Sequence, residues 1–396
     1  VRVPRVAFFP DSFLEVNGVA MTSNRFVEYA KRNGYPFLCV YAGENTEEKI
    51  EGNVTYLCLK RSAIAIPMDE GLKYDPLFQR HQSLVIRKLK EFQPDLIHIT
   101  GLNDVSILGA FLAWKLNIPM LGSWHTNLHE YAAERFKKAL FFLPQKVSDS
   151  ITKLIGRKIL QGTILYYKMP KIILAPNQEL LDILTKGTGR KGRLMLRGVD
   201  TNFFSPEKRT VSDNIFRFGY VGRLRPEKNL RILKKLEEKL FQTGKNNFKF
   251  LIVGEGSEKQ WLEENLKTAE LTGFLEGEPL ANAFANIDVF LFPSETDAFG
   301  NVVQEANASG VPAIVTDKGG PKFLINHGEN GFIATNESEF INFSLELFED
   351  KEKLQRMKKK ARESVLSKSW DSIFASVYEA YREISSRKPE LVNLTN

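Results

Sequence analysis

Phe290-Leu-Phe-Pro-Ser-Glu-Thr-Asp-Ala-Phe-Gly-Asn-Val-Val-Gln-Glu305 spells a short apolar strand, a loop of turn formers and the start of a helix. A carboxylate stands at each end of the loop–helix part. Asp297 falls where the strand has ended, and Glu305 comes eight positions later, about two helical turns on. Ala298 to Val302 are expected to open the helix, so several first-turn N–H groups have no intrahelical acceptor and face the space beside both carboxylates. A helix N-terminus is an anion site, and carboxylates beside it accept hydrogen bonds from sugar hydroxyls. Phosphate and sugar can be held together there, which points to chemistry on a nucleotide sugar. The bland alternative is a solvated helix face, because two acids eight apart are common on an amphipathic helix.

Outward from this stretch, short apolar runs alternate with helix-length amphipathic segments. Strands are expected at Arg5–Phe9, Phe37–Tyr41, Thr55–Leu59, Leu96–Thr100, Met120–Ser123 and Lys171–Ala175 in the first half. In the second half they are expected at Arg217–Val221, Lys249–Val253, Val289–Phe292, Ala313–Thr316 and Phe332–Ala334. Near-continuous apolar strands separated by helices mean parallel sheets covered on both faces. The fold class is α/β, with two Rossmann-like, doubly wound parallel-sheet domains expected at 1–200 and 201–369. The seam is expected near Gly198-Val-Asp-Thr-Asn-Phe-Phe-Ser-Pro206, ahead of the polar stretch Glu207 to Asn214. Residues 370–396 read as a C-terminal helix, with Ser369 or Asp371 as its cap, and a loose polar tail from Arg387.

The 396 residues suffice for two ordinary domains, and 43% hydrophobic with 26% charged residues is a normal soluble composition. Cys39 and Cys58, the only cysteines, sit in apolar runs and read as buried reduced thiols, with no disulfide framework or zinc spacing. No apolar run reaches membrane-spanning length, and the first residues enter a strand at once. A cytoplasmic location is expected, with peripheral attachment to the inner face of the plasma membrane as its variant. The net charge of +7 admits nucleic acid, an anionic membrane or a phosphate-bearing substrate as partner. No helix-turn-helix, zinc-finger or RNA-binding signature is present, so nucleic acid is set aside. Between Glu134 and Lys171 the cations, among them Arg157 and Lys158, far outnumber the two acids, Glu134 and Asp149, and aromatic and aliphatic residues are interleaved. Such a stretch suits an anionic bilayer; a core-packed helix pair with a basic outer face is the alternative.

Three loops carry further candidates. After the first strand, Pro10-Asp-Ser-Phe-Leu-Glu-Val-Asn-Gly-Val-Ala20 lacks the three-glycine dinucleotide fingerprint, which counts against a dehydrogenase. Its single Gly18 lets a phosphate approach the backbone at a helix start that Asn17 can cap. In Gly122-Ser-Trp-His-Thr-Asn-Leu-His129, His125 and His129 have the spacing of a zinc pair. Residue 126 is Thr where the metalloprotease motif has Glu, and no third ligand is evident, so no metal is expected. In Tyr220-Val-Gly-Arg-Leu-Arg-Pro-Glu-Lys-Asn229, fixed cations follow a buried strand, where α/β sheets bind ligands. Negative charge develops on a departing nucleoside diphosphate. Without a metal, Arg223 with a two-pronged contact and Lys228 with a point charge can stabilise it.

Taken in order, the first-loop glycine, the His125 segment, Gly198-Val-Asp200, the Arg223–Lys228 loop and the pair Asp297/Glu305 resemble the retaining glycosyltransferases of family four. The resemblance spans nearly the whole chain. The usual first carboxylate is Glu, and the Asp found here also occurs in the branch acting on diacylglycerol and related lipids, the sulfoquinovosyl-, mannosyl- and glucosyltransferases. It implies the GT-B fold, an interdomain cleft, a last helix that crosses back to the first domain, retention of configuration and no metal or other cofactor. It also implies roles. Catalysis falls to His125, Arg223, Lys228 and Asp297, with His125 meeting the transferred hexose. The donor is held by Gly18, Arg223, Lys228, Gly254, Phe274, Asp297, Phe299, Gly300, Asn301, Val302 and Glu305, the last on the ribose. His129, Arg157 and Lys158 serve the acceptor or membrane. Lys322 stands where many relatives carry Glu and receives no role, and Asn307 replaces a common Met as a packing change. The expected donor is a UDP- or GDP-sugar, uridine preferred, and the expected acceptor a membrane lipid. A soluble sugar or glycan acceptor and a non-catalytic two-domain binding protein are the alternatives.

Overall fold

The computed structural model describes residues 2–15, 17–68, 73–124, 145–244 and 246–385. They form two compact units, one of residues 1–196 with 371–396 and one of Arg197–Trp370.

Among the described residues the first unit has ten strands: β1 (Val6–Phe9), β2 (Phe37–Gly43), β3 (Glu47–Glu51), β4 (Val54–Lys60), the small ribbon of β5 (Ile66–Pro67) and β6 (Lys73–Tyr74), β7 (Leu96–Ile99), β8 (Met120–Ser123), β9 (Ile172–Ala175) and β10 (Lys191–Leu194). Eight of them make one sheet in the order β10-β9-β8-β7-β1-β2-β4-β3. Every neighbour is parallel except β3, which runs antiparallel along β4. The helices are α1 (Gly18–Arg32), α2 (Gln82–Phe92), α3 (Asp104–Lys115), α4 (Gln145–Tyr166) and α5 (Gln178–Thr188).

Period-two alternation divides β1 between two layers. Ala7 and Phe9 pack with Val85 and Leu89 of α2 and Leu108 and Leu112 of α3, whereas Phe8 meets Phe26 of α1 at 5.5 Å between ring centroids. Each fully buried side chain of this size contributes about 1.5–3 kcal/mol. Cys39 and Cys58 are buried free thiols.

The second unit has six strands: β11 (Phe216–Val221), β12 (Phe248–Val253), β13 (Ala269–Gly273), β14 (Val289–Phe292), β15 (Ala313–Thr316) and β16 (Gly331–Ala334). They form an all-parallel sheet in the order β13-β12-β11-β14-β15-β16. Around it lie α6 (Ile232–Gln242), α7 (Lys259–Asn265), α8 (Gly277–Asn286), α9 (Asn301–Ala308), α10 (Glu337–Glu349) and α11 (Lys351–Glu363). The segment after Leu196 is tied into this unit: Val199 N–H donates to Lys368 O at 3.0 Å, and Arg362 donates to Thr201 O and Phe204 O at 2.8 Å each. The chain therefore divides at 196/197, four residues before the expected 200, because those backbone carbonyls belong to the packing of α11.

The last helix, α12 (Trp370–Ser385), belongs mostly to the first unit. Its Phe374 lies 4.8 Å from Phe26, and Tyr381 Oη sits 2.6 Å from His98 Nδ1. His98 Nε2 is 2.9 Å from Ser123 Oγ at the end of β8. Burial pushes His98 down to about 3, so the imidazole is neutral and joins α12 to the sheet by hydrogen bonds alone.

Candidate active site

In open α/β sheets ligands bind beyond the C-terminal ends of the strands where the strand order reverses. In the second unit that place is between β11 and β14. The loop after β11 ends in one 3-10 turn, Pro226–Lys228, stopped by a left-handed Asn229. The loop after β14 leads through Asp297 to left-handed Gly300, and α9 starts at Asn301. Ala298 to Gly300 thus precede the helix expected to begin with them, since Gly300 at φ +88° lies outside the helical region. The amides that open α9 are those of Asn301 and Val302.

Lys228 and Asp297 meet across the reversal point. Lys228 Nζ lies 2.8 Å from both carboxylate oxygens of Asp297. The lysine is 9% exposed and the carboxylate 25% exposed, so the pair is largely out of water. Burial pushes the Asp297 carboxyl up, but the charge and hydrogen bond of Lys228, helped by Arg223, outweigh it and hold it below the usual value. Asp297 is therefore ionised at neutral pH. Arg223 is exposed, and its carbonyl accepts from the Tyr220 hydroxyl at 3.0 Å, which fixes the loop backbone.

The glycine pair after β15 cradles the Asp297 loop. Gly320 N–H donates to Asp297 O at 2.7 Å. A Cβ on Gly320 would lie 1.8 Å from Ala298 O, and one on left-handed Gly319 would lie 2.6 Å from Asp297 O. The grip of Gly319 and Gly320 on Asp297 depends on β15 lying beside β14, which sequence spacing does not state.

The remaining candidates are placed as follows. Glu305 is half-buried on α9. Phe274, 61% exposed, directly follows β13. Phe299 is buried, with the Arg197 guanidinium 6.0 Å from its ring centroid, so only its backbone faces outward chemistry. The Gly254 N–H is spent on Gly273 O at 2.8 Å, which leaves its missing side chain, not its amide, as what it can offer a ligand. In the first unit, exposed Gly18 opens α1, and Asn17 caps it by accepting from Val19 N and Ala20 N at 3.0 and 2.8 Å. Arg157 and Lys158 are exposed on α4. His125 and His129 lie outside the described residues, as does the first part of the basic stretch. Among the described residues no group of three His, Cys, Asp or Glu is placed to hold a metal ion.

Three features escaped the sequence reading. Arg197 is buried beside Phe299, and burial pulls its guanidinium down to about 10. Asn307 is not simply a packing substitute for Met: its amide and that of Gln304, one turn before it on α9, are both buried with no hydrogen-bond partner among the described residues. Two such groups cost about 1–3 kcal/mol each unless water reaches them. Asp11 fills the reversal point of the first unit, accepting from Leu102 N at 2.8 Å and Asn103 N at 3.1 Å. Burial raises it to about 6. The place where a dinucleotide phosphate would sit already holds a carboxylate of the chain.

If Glu305 holds the donor, Glu305→Ala should weaken nucleotide-sugar binding about tenfold, the loss of a charge-assisted hydrogen bond of about 1.5 kcal/mol. Calorimetry on the folded variant checks this, and an unchanged affinity removes Glu305 from the site.

Comparison with known proteins assigns both units. Residues 16–203 match the family model "Glycosyltransferase Family 4", and residues 203–364 match "Glycosyl transferases group 1". A GDP-mannose-dependent alpha-mannosyltransferase of Corynebacterium glutamicum is 29% identical over 97% of this chain and 90% of its own. Alpha-monoglucosyldiacylglycerol synthase of Acholeplasma laidlawii is 20% identical over 97% of this chain and 100% of its own. Sucrose-phosphate synthase of Thermosynechococcus elongatus superposes with a TM-score of 0.74 over 97% of this chain and 100% of that one, at 17% identity.

Proposed function

Because this chain belongs to glycosyltransferase family four, we propose that it transfers mannose from GDP-mannose to a hydroxyl of a membrane lipid such as diacylglycerol, without a metal and with retention of configuration. The family itself uses a nucleotide sugar on a GT-B fold. The observation that carries the finer reading is the meeting of Lys228, Asp297 and the α9 N-terminus at one reversal point. A cation, a carboxylate and the amides that open a helix together suit a phosphate joined to a hexose, and suit neither alone.

In this reading Glu305 takes the ribose hydroxyls. Asp297 and the amides of Asn301 and Val302 take the hexose and phosphate, while Arg223 and Lys228 stabilise the charge that grows on the departing diphosphate. Asp297, short and already engaged by Lys228, recognises the sugar; it does not attack it. The acceptor hydroxyl attacks from the face the diphosphate leaves, and the leaving phosphate takes its proton. Guanosine replaces the uridine preference because the mannosyltransferase relative spans almost the whole of both chains.

A lipid acceptor is supported by the diacylglycerol named in a relative of equal length and by α4. Its outer face carries Lys153, Leu154, Arg157, Lys158 and Leu165, with no acid from Ser150 to Met169. Leu154 and Leu165 are 57% and 67% exposed. The opposite face packs through Leu160 and Tyr166 against Trp124 and Tyr167, so packing and an outward cationic face coexist. No helix among the described residues is long and apolar enough to cross a membrane; attachment through this face would be peripheral.

Arg157→Glu with Lys158→Glu should then cut binding to phosphatidylglycerol vesicles by about thirtyfold, at about 1 kcal/mol for each cation removed, and further through the repulsion of the added acids. Flotation on such vesicles is the test, with neutral vesicles as control. Equal binding by the double variant would return α4 to a purely structural role. The function itself is tested by incubating the protein with GDP-mannose and diacylglycerol-containing vesicles and following GDP release and lipid-borne mannose.

A further inference from the structure

The Lys228–Asp297 pair has a consequence beyond donor binding. The cation assigned to the diphosphate and the carboxylate assigned to the hexose are each other's partners, through two 2.8 Å contacts in a largely dry setting. We propose that Asp297 also competes with the nucleoside diphosphate for Lys228, and that by reclaiming Lys228 once the hexose has left it expels the spent product. The proposal rests on the reading of this site as the donor site.

The site passes through three occupancies. Before a donor arrives, Lys228 and Asp297 neutralise each other, so neither charge is buried alone. With the intact donor bound, the diphosphate takes Lys228, and hexose hydroxyls donate to Asp297. The carboxylate keeps hydrogen-bond donors although it has yielded its ammonium. After transfer the hexose departs with the acceptor. Asp297 then faces diphosphate oxygens across one ammonium with no hydroxyl in between, and like charges at that separation in a low-dielectric site repel strongly. The Asp297 backbone cannot draw the carboxylate away, because its carbonyl is pinned by Gly320 N–H and its loop is wedged against the glycine pair. Recovering Lys228 removes the repulsion, and the product loses a cation. The donor and its product differ only by the sugar, so the device discriminates between them without any contact to the base.

The test is the affinity of the product itself, measured by calorimetry with GDP and with UDP on the wild type, Asp297→Asn and Lys228→Ala. Asp297→Asn leaves Lys228 without its competitor and should bind the nucleoside diphosphate about tenfold more tightly, in the range measured for couplings between close charge pairs. It should gain nothing for the nucleotide sugar, because the hexose loses its carboxylate. Asp297→Ala serves as a second variant should the amide disturb the loop. A residue that only touched the hexose would leave diphosphate affinity unchanged, and that result, or weaker binding, would overturn the proposal. The site reading fails separately: if Lys228→Ala binds both diphosphates as the wild type does, Lys228 is no phosphate ligand and both ideas fall. If Lys228→Ala weakens binding while Asp297→Asn leaves it unaltered, only the competition falls.

Discussion

Lys228→Ala is expected to lower the rate of sugar transfer by about 100- to 1,000-fold, or about 3–4 kcal/mol, the scale seen when one fixed donor to a developing oxyanion is removed. Two losses combine. The leaving diphosphate forfeits a cation that, at 9% exposure, acts in a site from which most water is excluded. Asp297 meanwhile is left without its ammonium partner beside the same diphosphate. Both penalties grow as the glycosidic bond breaks, so kcat should suffer more than donor KM. Lys228→Arg should recover only part of the rate, because the larger guanidinium must fit where a compact ammonium, 9% exposed, sits 2.8 Å from both carboxylate oxygens. Steady-state kinetics on folded variants decide it; a loss confined to KM would mean that Lys228 only gathers substrate.

Gly320→Ala is expected to be the most damaging single methyl group in the second unit. Its Cβ would lie 1.8 Å from Ala298 O, 2.3 Å from Ala298 C and 2.7 Å from Phe299 N. All three atoms are backbone, so no side chain can turn aside. The Asp297 loop or the segment after β15 must move, at a cost in the about 1–3 kcal/mol range of overpacking or above it. The carbonyl of Asp297 would lose its 2.7 Å hydrogen bond in the process. Stability and donor affinity should therefore fall together. Gly328→Ala is the matched control. Unlike Gly320, at φ −81°, Gly328 has positive φ, +84°, but nothing lies within 4 Å of its would-be Cβ, so it should cost only about 1 kcal/mol, that of an unsuitable backbone conformation, and leave donor binding intact. Denaturant titration and calorimetry on the pair check this. A Gly320→Ala protein with wild-type donor affinity would show that the cradle does not position the site.

Much of this was legible in the sequence. The interior parallel strands were, because burial on both faces leaves continuous apolar runs such as Val289–Phe292 and Met120–Ser123. The edges were not. Glu47–Glu51 is a charged, exposed antiparallel strand, and Lys191–Leu194 and Ala269–Gly273 also lie at sheet margins, where half-solvated residues carry no such signature. The start of α9 was misplaced by three residues because Gly300, not the residue after Asp297, sets the cap. The Arg223–Lys228 loop and Asp297/Glu305 stood out through spacing and family order, but that Lys228 and Asp297 are partners follows from β11 lying beside β14, a long-range pairing. Arg197, Asp11 and the buried amides of Gln304 and Asn307 were invisible for the same reason: each is defined by what folds over it.

The most direct measurement is transfer itself. Purified protein, GDP-mannose radiolabelled in the sugar and vesicles of phosphatidylglycerol with diacylglycerol are incubated in EDTA, with UDP-glucose in parallel. The organic phase is then counted and the linkage read by NMR. Label from GDP-mannose in a lipid product with the donor's anomeric configuration, undiminished by the chelator and lost in Lys228→Ala, is the predicted result. A folded protein that releases no diphosphate and labels no lipid from either donor, or a lipid product of inverted configuration, would contradict the account.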